Sequence, residues 1–290
     1  MSKEKTILPR IGAHKSIANG IDRAVDRGLE STCECLQIFT RPPRRWEAGK
    51  FSLDKIRVKS FLDKAENAKY FDTAIHMPYL PNLSSPDDGL YNRSIKVLQE
   101  EIVKSHLLHS PYVISHLGSP KKESRDFAVK RTAKALDQAL ESRIAPTMIL
   151  LENSTAKRRD WGKNIEDITN VINTVNQPQY VGMCFDTAHA FASGYEISSP
   201  EILHEVFDSI DELVGKNKVR VIHLNDSKGQ LNSGIDHHEH IGRGNIGIDC
   251  FRELMQHPRF NNISMILETP KDEKIDDKKN LDLLRSLRKK

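Results

Sequence analysis

"VGMCFDTAH", residues 181–189, shows in nine residues the pattern from which the architecture follows. Five residues with no charge among them run into Asp186, and His189 follows three positions later. A run this short and this apolar suits a strand buried on both faces rather than a helix. It then ends in side chains that do not belong in a core. Working outward, the same design recurs in "TILPRIGAH" (6–14), "ECLQIFT" (34–40), "DTAIHMPY" (72–79), "YVISHLG" (112–118), "TMILLEN" (147–153), "VRVIHLND" (219–226) and "ISMILET" (263–269). Between the runs lie segments apolar at i, i+3 and i+4, such as "NRSIKVLQEEIVKSHLL" (92–108) and "RDFAVKRTAKALDQALES" (125–142).

Eight strands alternating with helices predict a closed parallel (β/α)8 TIM barrel. A chain of 290 residues is of a length that such a barrel fills as one domain, so residues 1–290 are read as a single unit. The alternative is a doubly wound open sheet. It more often leaves a glycine-rich phosphate turn after the first strand, and "GAHKSIANG" matches that pattern poorly.

Seven of the eight runs carry metal-capable side chains at or near their C-terminal ends. These are His14, His76, His116, Glu152, Asp186 with His189, His223 with Asp226, and Glu268. In a barrel all those ends converge on one face, where active sites are built. A single buried histidine is more often a satisfied core residue than a ligand. A mouth lined with so many imidazoles and carboxylates is costly without a compensating cation. Imidazole plus carboxylate, without thiolate, suits zinc or manganese. The donors outnumber what one tetrahedral ion takes, which points to a multinuclear site.

The loop "GIDHHEHIGRG" (234–244) follows the seventh run and so lies over the same mouth. In an extended segment Asp236 and His238 project to one side and His237 to the other. His240 shares the side of Asp236 and His238, so alternation alone leaves it open.

Composition sets bounds. The net charge of +4 tolerates a polyanionic partner without demonstrating one. Cys33, Cys35, Cys184 and Cys250 have no CxxC or finger spacing, which reads as a reduced, intracellular protein. The start "MSKEKTILPR" lacks the apolar core of a signal peptide, and no run is long enough to span a membrane. The tail "DDKKNLDLLRSLRKK" reads as a terminal helix with a solvated face.

The motifs "IGAHKS" (11–16), "HMPYLPNL" (76–83), "SHLGS" (115–119), "LLENS" (150–154), "CFDTAHAFASGY" (184–195), "HLNDSKG" (223–229), "DHHEHIGRGNIG" (236–247) and "ILETP" (266–270) stand in order over nearly the whole chain. In these the chain resembles endonuclease IV, the zinc-dependent apurinic/apyrimidinic endonuclease family. The resemblance implies three zinc ions per chain, with manganese able to replace one. One ion would take His76, His116 and Glu152, and a second Asp186, His223 and Glu268, with Glu152 bridging. The third would take His189, Asp236 and His238. Glu152 would be the catalytic ligand, beside a metal-activated hydroxide. The resemblance assigns no role to His237 and places His240 outside the ligand set. Two departures affect loop detail: "TAKRRD" follows "LLENS", and "FTRPPRRW" carries two prolines.

The implied activity is that of a hydrolase of the deoxyribonuclease IV type in base excision repair. It would cut the DNA backbone 5′ to abasic sites in duplex DNA and trim blocked 3′ ends. The chain would act as a monomer, in the cytoplasm, on damaged DNA. Charge agrees: five neutral histidines and four carboxylates bring −4 and three zinc ions +6. A hydroxide and one phosphodiester then make the site neutral.

The loops predicted over the mouth are basic: Arg41, Arg44, Arg45, Lys121, Lys122, Lys157, Arg158, Arg159, Lys228, Arg243 and Lys271. Each alone reads as a solvated charge, and as a set they suit a phosphate backbone. The resemblance makes Arg44, Tyr79 and Leu80 the residues that penetrate the duplex at the lesion, a minor-groove wedge. Two rivals stand beside this reading. A divalent-metal sugar isomerase or epimerase of a related barrel usually needs fewer ligands. A DNA-binding module with structural zinc usually uses cysteine.

Overall fold

The computed structural model describes residues 8–46, 53–68, 72–144, 146–155, 161–271 and 276–288. Each predicted run contains one strand: β1 (Arg10–His14), β2 (Cys35–Ile38), β3 (Thr73–His76), β4 (Tyr112–His116), β5 (Met148–Glu152), β6 (Val181–Asp186), β7 (Val219–His223) and β10 (Ser264–Leu267). All pair in parallel and close into a barrel in the order β1-β10-β7-β6-β5-β4-β3-β2. The short strands β8 (Asp226–Ser227) and β9 (His238–Glu239) form an antiparallel ribbon after β7. The helices are α1 (Arg23–Glu30), α2 (Lys55–Asn67), α3 (Asp88–Leu107), α4 (Arg125–Leu140), α5 (Ile165–Thr174), α6 (Thr187–Ala192), α7 (Pro200–Val214), α8 (Ile248–Gln256) and α9 (Asp277–Leu287). The chain is a TIM barrel, as the alternation predicts.

Caps set the helix ends. α3 begins before the expected residue 92 because Asp87 accepts the Leu90 N–H at 2.6 Å. The Ser124 hydroxyl does the same for α4, accepting from the Phe127 N–H at 3.1 Å. The tail helix α9 buries Asn280, Leu281 and Leu284 and exposes its other face. No helix among the described residues is long and apolar enough to cross a membrane.

Two apolar layers divide the core. One lies between strands and helices and includes Ile11, Ala13, Leu36, Ile75 and Val113. The other fills the lumen, with one small or medium residue per strand: Cys35, Ala74, Ile114, Leu150, Cys184, Val221 and Ile266. In β1 the same position is Gly12, where a Cβ would meet the Cys35 carbonyl oxygen at 1.9 Å. Strand side chains alternate, so the residue two positions further on faces the lumen again. Counting two on from each lumen residue gives His14, Gln37, His76, His116, Glu152, Asp186, His223 and Glu268. The mouth of the barrel is this one ring.

Candidate metal centre

The ring closes on itself through short contacts. His76 Nε2 lies 3.0 Å from Glu152 Oε2 and His116 Nε2 lies 3.4 Å from the same oxygen. Glu152 Oε1 lies 3.0 Å from His223 Nδ1. His223 Nδ1 also lies 3.7 Å from Asp186 Oδ2 and 3.5 Å from Glu268 Oε2. Asp186 caps α6 by accepting the His189 N–H at 2.8 Å, so the first turn of that helix carries His189 to the mouth. His189 Nε2 then lies 3.1 Å from Asp236 Oδ1, and His238 Nε2 lies 3.4 Å from it.

Three donor groups emerge in which one atom from each residue lies within 4.8 Å of the others. They are His76–His116–Glu152, Asp186–His189–His238 and Glu152–Asp186–His223–Glu268. Glu152 and Asp186 each belong to two of them. Eight of the nine expected ligands therefore meet at one place, and Asp236 lies beside them. The arrangement differs from expectation in one detail: Asp186 joins His189 and His238, with Asp236 flanking them from an exposed position.

Most rings have one nitrogen anchored from behind. His76 Nδ1 donates to the Met77 carbonyl at 2.7 Å, His189 Nδ1 to the Asn153 carbonyl at 3.0 Å and His238 Nδ1 to the Glu268 carbonyl at 3.1 Å. A carbonyl oxygen only accepts, so the proton of the neutral ring sits on Nδ1 and Nε2 turns to the mouth bare. His223 is anchored the other way round, through Nε2 to Gln37 Oε1 at 2.7 Å.

The residues fit divalent cations. His116 Nδ1 and His238 Nε2 are buried and without a hydrogen-bond partner. Burial opposes ionisation throughout, yet the carboxylates draw positive charge in. Against burial, Asp186, Asp236 and Glu152 pull His189 well above the usual imidazole range. Also against burial, Cys184, Glu268 and Glu152 hold His223 well above that range. Glu152 is held well below the usual carboxylate range by His116 and His223, burial again opposing. Asp236 is held down to about 2 by His189 and His238, with burial opposing. The field favours cations, and the donors are the nitrogen and carboxylate oxygen that zinc takes.

Three residues that hold the ring together carry no metal-capable group, and sequence reading missed them. Asn153 Oδ1 accepts the Asp186 N–H at 2.7 Å. Asn225 donates to Asp186 Oδ2 at 2.7 Å and accepts the Glu268 N–H at 2.9 Å. Gln37 donates to Glu268 Oε1 at 2.6 Å and to His14 Nδ1 at 2.9 Å. The signal for Gln37 is its place two residues beyond the lumen residue of β2, the one run read as having no mouth residue.

Other expected positions resolve differently. Asp226, grouped with His223 in the sequence, lies outside the donor groups. It accepts the N–H groups of Ser227, Gly244 and Ile246 at 2.8, 2.9 and 3.1 Å and so folds the loop back on itself. A Cβ on Gly244 would meet Asp226 Oδ1 at 2.5 Å. His237 is exposed. His240 is buried and its Nδ1 accepts from Asn280 at 3.0 Å.

Arg41 does not belong to the basic set. It is 2 % exposed and is paired with Glu101 at 2.7 Å and with Glu100 at 2.5 Å, which makes it a brace between β2 and α3. Lys157, Arg158 and Arg159, with most of "TAKRRD", lie outside the described residues. Arg44, Arg45, Lys121, Lys122, Lys228, Arg243 and Lys271 are exposed, Lys271 in an ion pair with Asp277.

Tyr79 is 57 % exposed beside the ring, its edge on Phe39 with centroids 5.5 Å apart and 6.1 Å from His76. Its N–H donates to the Pro43 carbonyl at 2.9 Å, which ties the Arg44 loop to the loop of Tyr79 and Leu80. Burial, with the nearby carboxylates, pushes the Tyr79 phenol up to about 12, so it stays neutral.

Comparison with known proteins agrees. A family described as Xylose isomerase-like TIM barrel matches residues 21–290. A probable endonuclease 4 of Methanoculleus marisnigri is 38% identical over 96% of this chain and 98% of its own length. One from Nitrosopumilus maritimus is 35% identical over 94% and 97%. The crystal structure of endonuclease IV from Thermus thermophilus superposes with a TM-score of 0.84 at 32% identity, covering 96% of this chain and 98% of that one. A D-tagatose 3-epimerase-like protein shares the fold at a TM-score of 0.72 and 18% identity.

Proposed function

The chain belongs to the endonuclease IV family, and on that footing we propose that it is a hydrolase of damaged duplex DNA. It cuts the phosphodiester bond 5′ to an abasic site, leaving a 3′-hydroxyl and a 5′-deoxyribose phosphate, and trims blocked 3′ ends. It acts as one barrel domain, 1–290, and as a monomer, inside the cell. The observation that carries this reading is the set of three donor groups linked through Glu152 and Asp186.

Three zinc ions, or two zinc and one manganese, would be held by His76, His116, Glu152, Asp186, His189, His223, Asp236, His238 and Glu268. Such ions supply Lewis acidity and a nucleophile from water near neutral pH. The chain's own residues do the rest. Glu152 and Asp186 each belong to two donor groups and would link the ions held there. The backbone carbonyls behind His76, His189 and His238 hold those rings in one tautomer. Arg44, Tyr79 and Leu80 stand on neighbouring loops at one side of the mouth, where a basic and an apolar edge enter the duplex beside the lesion. They stabilise the extruded abasic nucleotide, whose extrusion is least costly where the base is already gone. Exposed lysines and arginines on the same face neutralise phosphates along the backbone.

The test is elemental analysis of the purified chain together with cleavage of a duplex carrying one abasic site, with ketoses and aldoses as controls. About three ions per chain and incision 5′ to the lesion, abolished by strong chelation, are expected. One ion per fully active chain overturns the trinuclear reading. Turnover of sugars without incision overturns the DNA substrate.

A further inference from the structure

The end of the barrel opposite the mouth carries a second group of nitrogen and carboxylate donors. We propose that His204, Glu253 and His257 bind one further zinc ion, which clamps α7 to α8. His204 Nε2 lies 2.7 Å from Glu253 Oε1, and the rings of His204 and His257 stand 4.2 Å apart between centroids. One ligand atom from each of the three lies within 4.8 Å of the other two.

The sequence makes this arrangement by helical spacing. Glu253 lies in the last turn of α8, and His257 is the residue that caps it, its N–H donating to the Glu253 carbonyl at 3.0 Å, so the two stand one turn apart. His204 faces them from the first half of α7. Phe260 floors the site, its ring stacked with His204 at 22° and 6.0 Å from it. An apolar floor on one side strengthens charge–ligand interaction on the other. The side chains of His204 and Glu253 are each 25 % exposed, so an ion reaches them from solvent without a conformational change.

Place separates this group from the mouth. His257 borders a cleft lined also by Val219 and Ile263, where β7 and β10 begin. His223 and Glu268 stand at the other ends of the same strands. Of the acids that line that cleft, Asp208 and Asp211 pair with Arg259 at 2.6 and 2.7 Å, and Glu212 lies outside the donor group. Glu253 is thus the carboxylate that faces the two rings.

Ligand type chooses the ion. Two imidazoles and one carboxylate, without thiolate, suit zinc better than calcium or magnesium, which prefer all-oxygen shells. Three protein ligands leave the fourth tetrahedral position to water. Binding would replace the His204–Glu253 hydrogen bond with coordinate bonds. It competes with protons, so it weakens as pH falls through the imidazole range.

The experiment compares the full wild-type chain with a His204→Gln/His257→Gln double variant, both saturated with zinc and then dialysed at stepped free zinc. The wild type is expected to bind one zinc more than the variant. Added zinc is expected to raise its thermal midpoint by an increment the variant lacks. Abasic-site cleavage is expected to be equal in the two, because neither side chain belongs to the mouth. Equal zinc content and an equal zinc-dependent midpoint overturn the proposal and leave a plain His–Glu ion pair. If the double variant does not fold, Glu253→Gln alone is expected to raise the free zinc needed for half-occupancy at least tenfold, and an unchanged requirement overturns the site. The count is a difference between proteins with the same mouth, so it stands whatever the mouth binds.

Discussion

Gln37 Oε1 accepts a hydrogen bond from His223 Nε2 at 2.7 Å, and the same amide donates to Glu268 Oε1 at 2.6 Å. The second contact orients the first. A carboxylate can only accept, so the amide nitrogen must face Glu268 and the amide oxygen must face His223. The proton of a neutral His223 is thereby placed on Nε2, and Nδ1 is turned bare toward Glu152, Asp186 and Glu268. A residue with no affinity for metal thus decides which nitrogen of His223 is turned to the mouth. Gln37→Leu is expected to lower zinc affinity of the mouth by about 10–100-fold, the usual cost of losing such a partner. Competition against a chelator measures it. Unchanged affinity would mean that the carboxylates alone orient His223.

His238 and His237 are neighbours with opposite surroundings, one half-buried beside Asp186 and Asp236, the other exposed. His238→Ala is expected to lose one ion and most of the cleavage rate. His237→Ala is expected to keep both. Metal content and rate, measured on the same preparations, check this, and a swap of phenotypes would place the ligand one residue earlier.

Truncating Arg44, Tyr79 and Leu80 together is expected to leave the ions in place and lower the ratio of binding to abasic over intact duplex. Glu152→Gln is expected to stop cleavage and leave DNA binding partly intact. Lysine and arginine contacts to phosphate show instead as a salt slope shared by both duplexes. If the triple variant changes only that slope, the three residues are phosphate contacts and not a wedge.

Arg41 stands in the basic segment "RPPRRW" but points inward to Glu101. Arg41→Ala removes the guanidinium from the fully buried Glu101 carboxylate and leaves it Lys104, at 3.0 Å, and the Thr40 hydroxyl, a loss of about 1–3 kcal/mol of stability. Denaturant unfolding measures it. The salt slope of DNA binding by the folded variant is expected to match the wild type, and a shallower slope would return Arg41 to the phosphate footprint.

Glu34 accepts the Ile11 N–H at 3.0 Å and two bonds from Arg288 at 2.8 and 2.7 Å. Burial would raise its carboxyl, but Arg288 and the Ile11 N–H hold it below its usual value. A depressed carboxylate stabilises the fold above its unfolded value of about 4.3 and loses that contribution as pH falls through the folded value. Glu34→Gln is expected to be less stable than wild type near pH 7, with the gap closing in acid. Thermal midpoints between neutral and acidic pH check it, and a constant gap would mean that the carboxylate's charge does not matter.

By itself the sequence determined the barrel and nearly all of its mouth. Strands buried on both faces must be apolar along their length, so polar ends such as those of "VISH", "MILLE" and "VRVIH" stood out, and chain order was enough to align them. Alternation likewise separated Asp236 and His238 from His237. Whatever depends on neighbours distant in the chain emerged on folding. Gln37 read as an ordinary polar residue of β2 until barrel closure set it against His223 and Glu268, 186 and 231 positions away. Asp226 looked like a ligand and Arg41 like a phosphate contact, because chemistry by residue type does not say which partner is nearer. The Gly244 and Ile246 N–H groups claimed the first, and Glu101 on α3 the second. The physical reason is common to all three. Strand and helix periods are local and can be read along the chain, whereas a hydrogen bond or ion pair is fixed by which side chains closure of the barrel brings within about 3 Å.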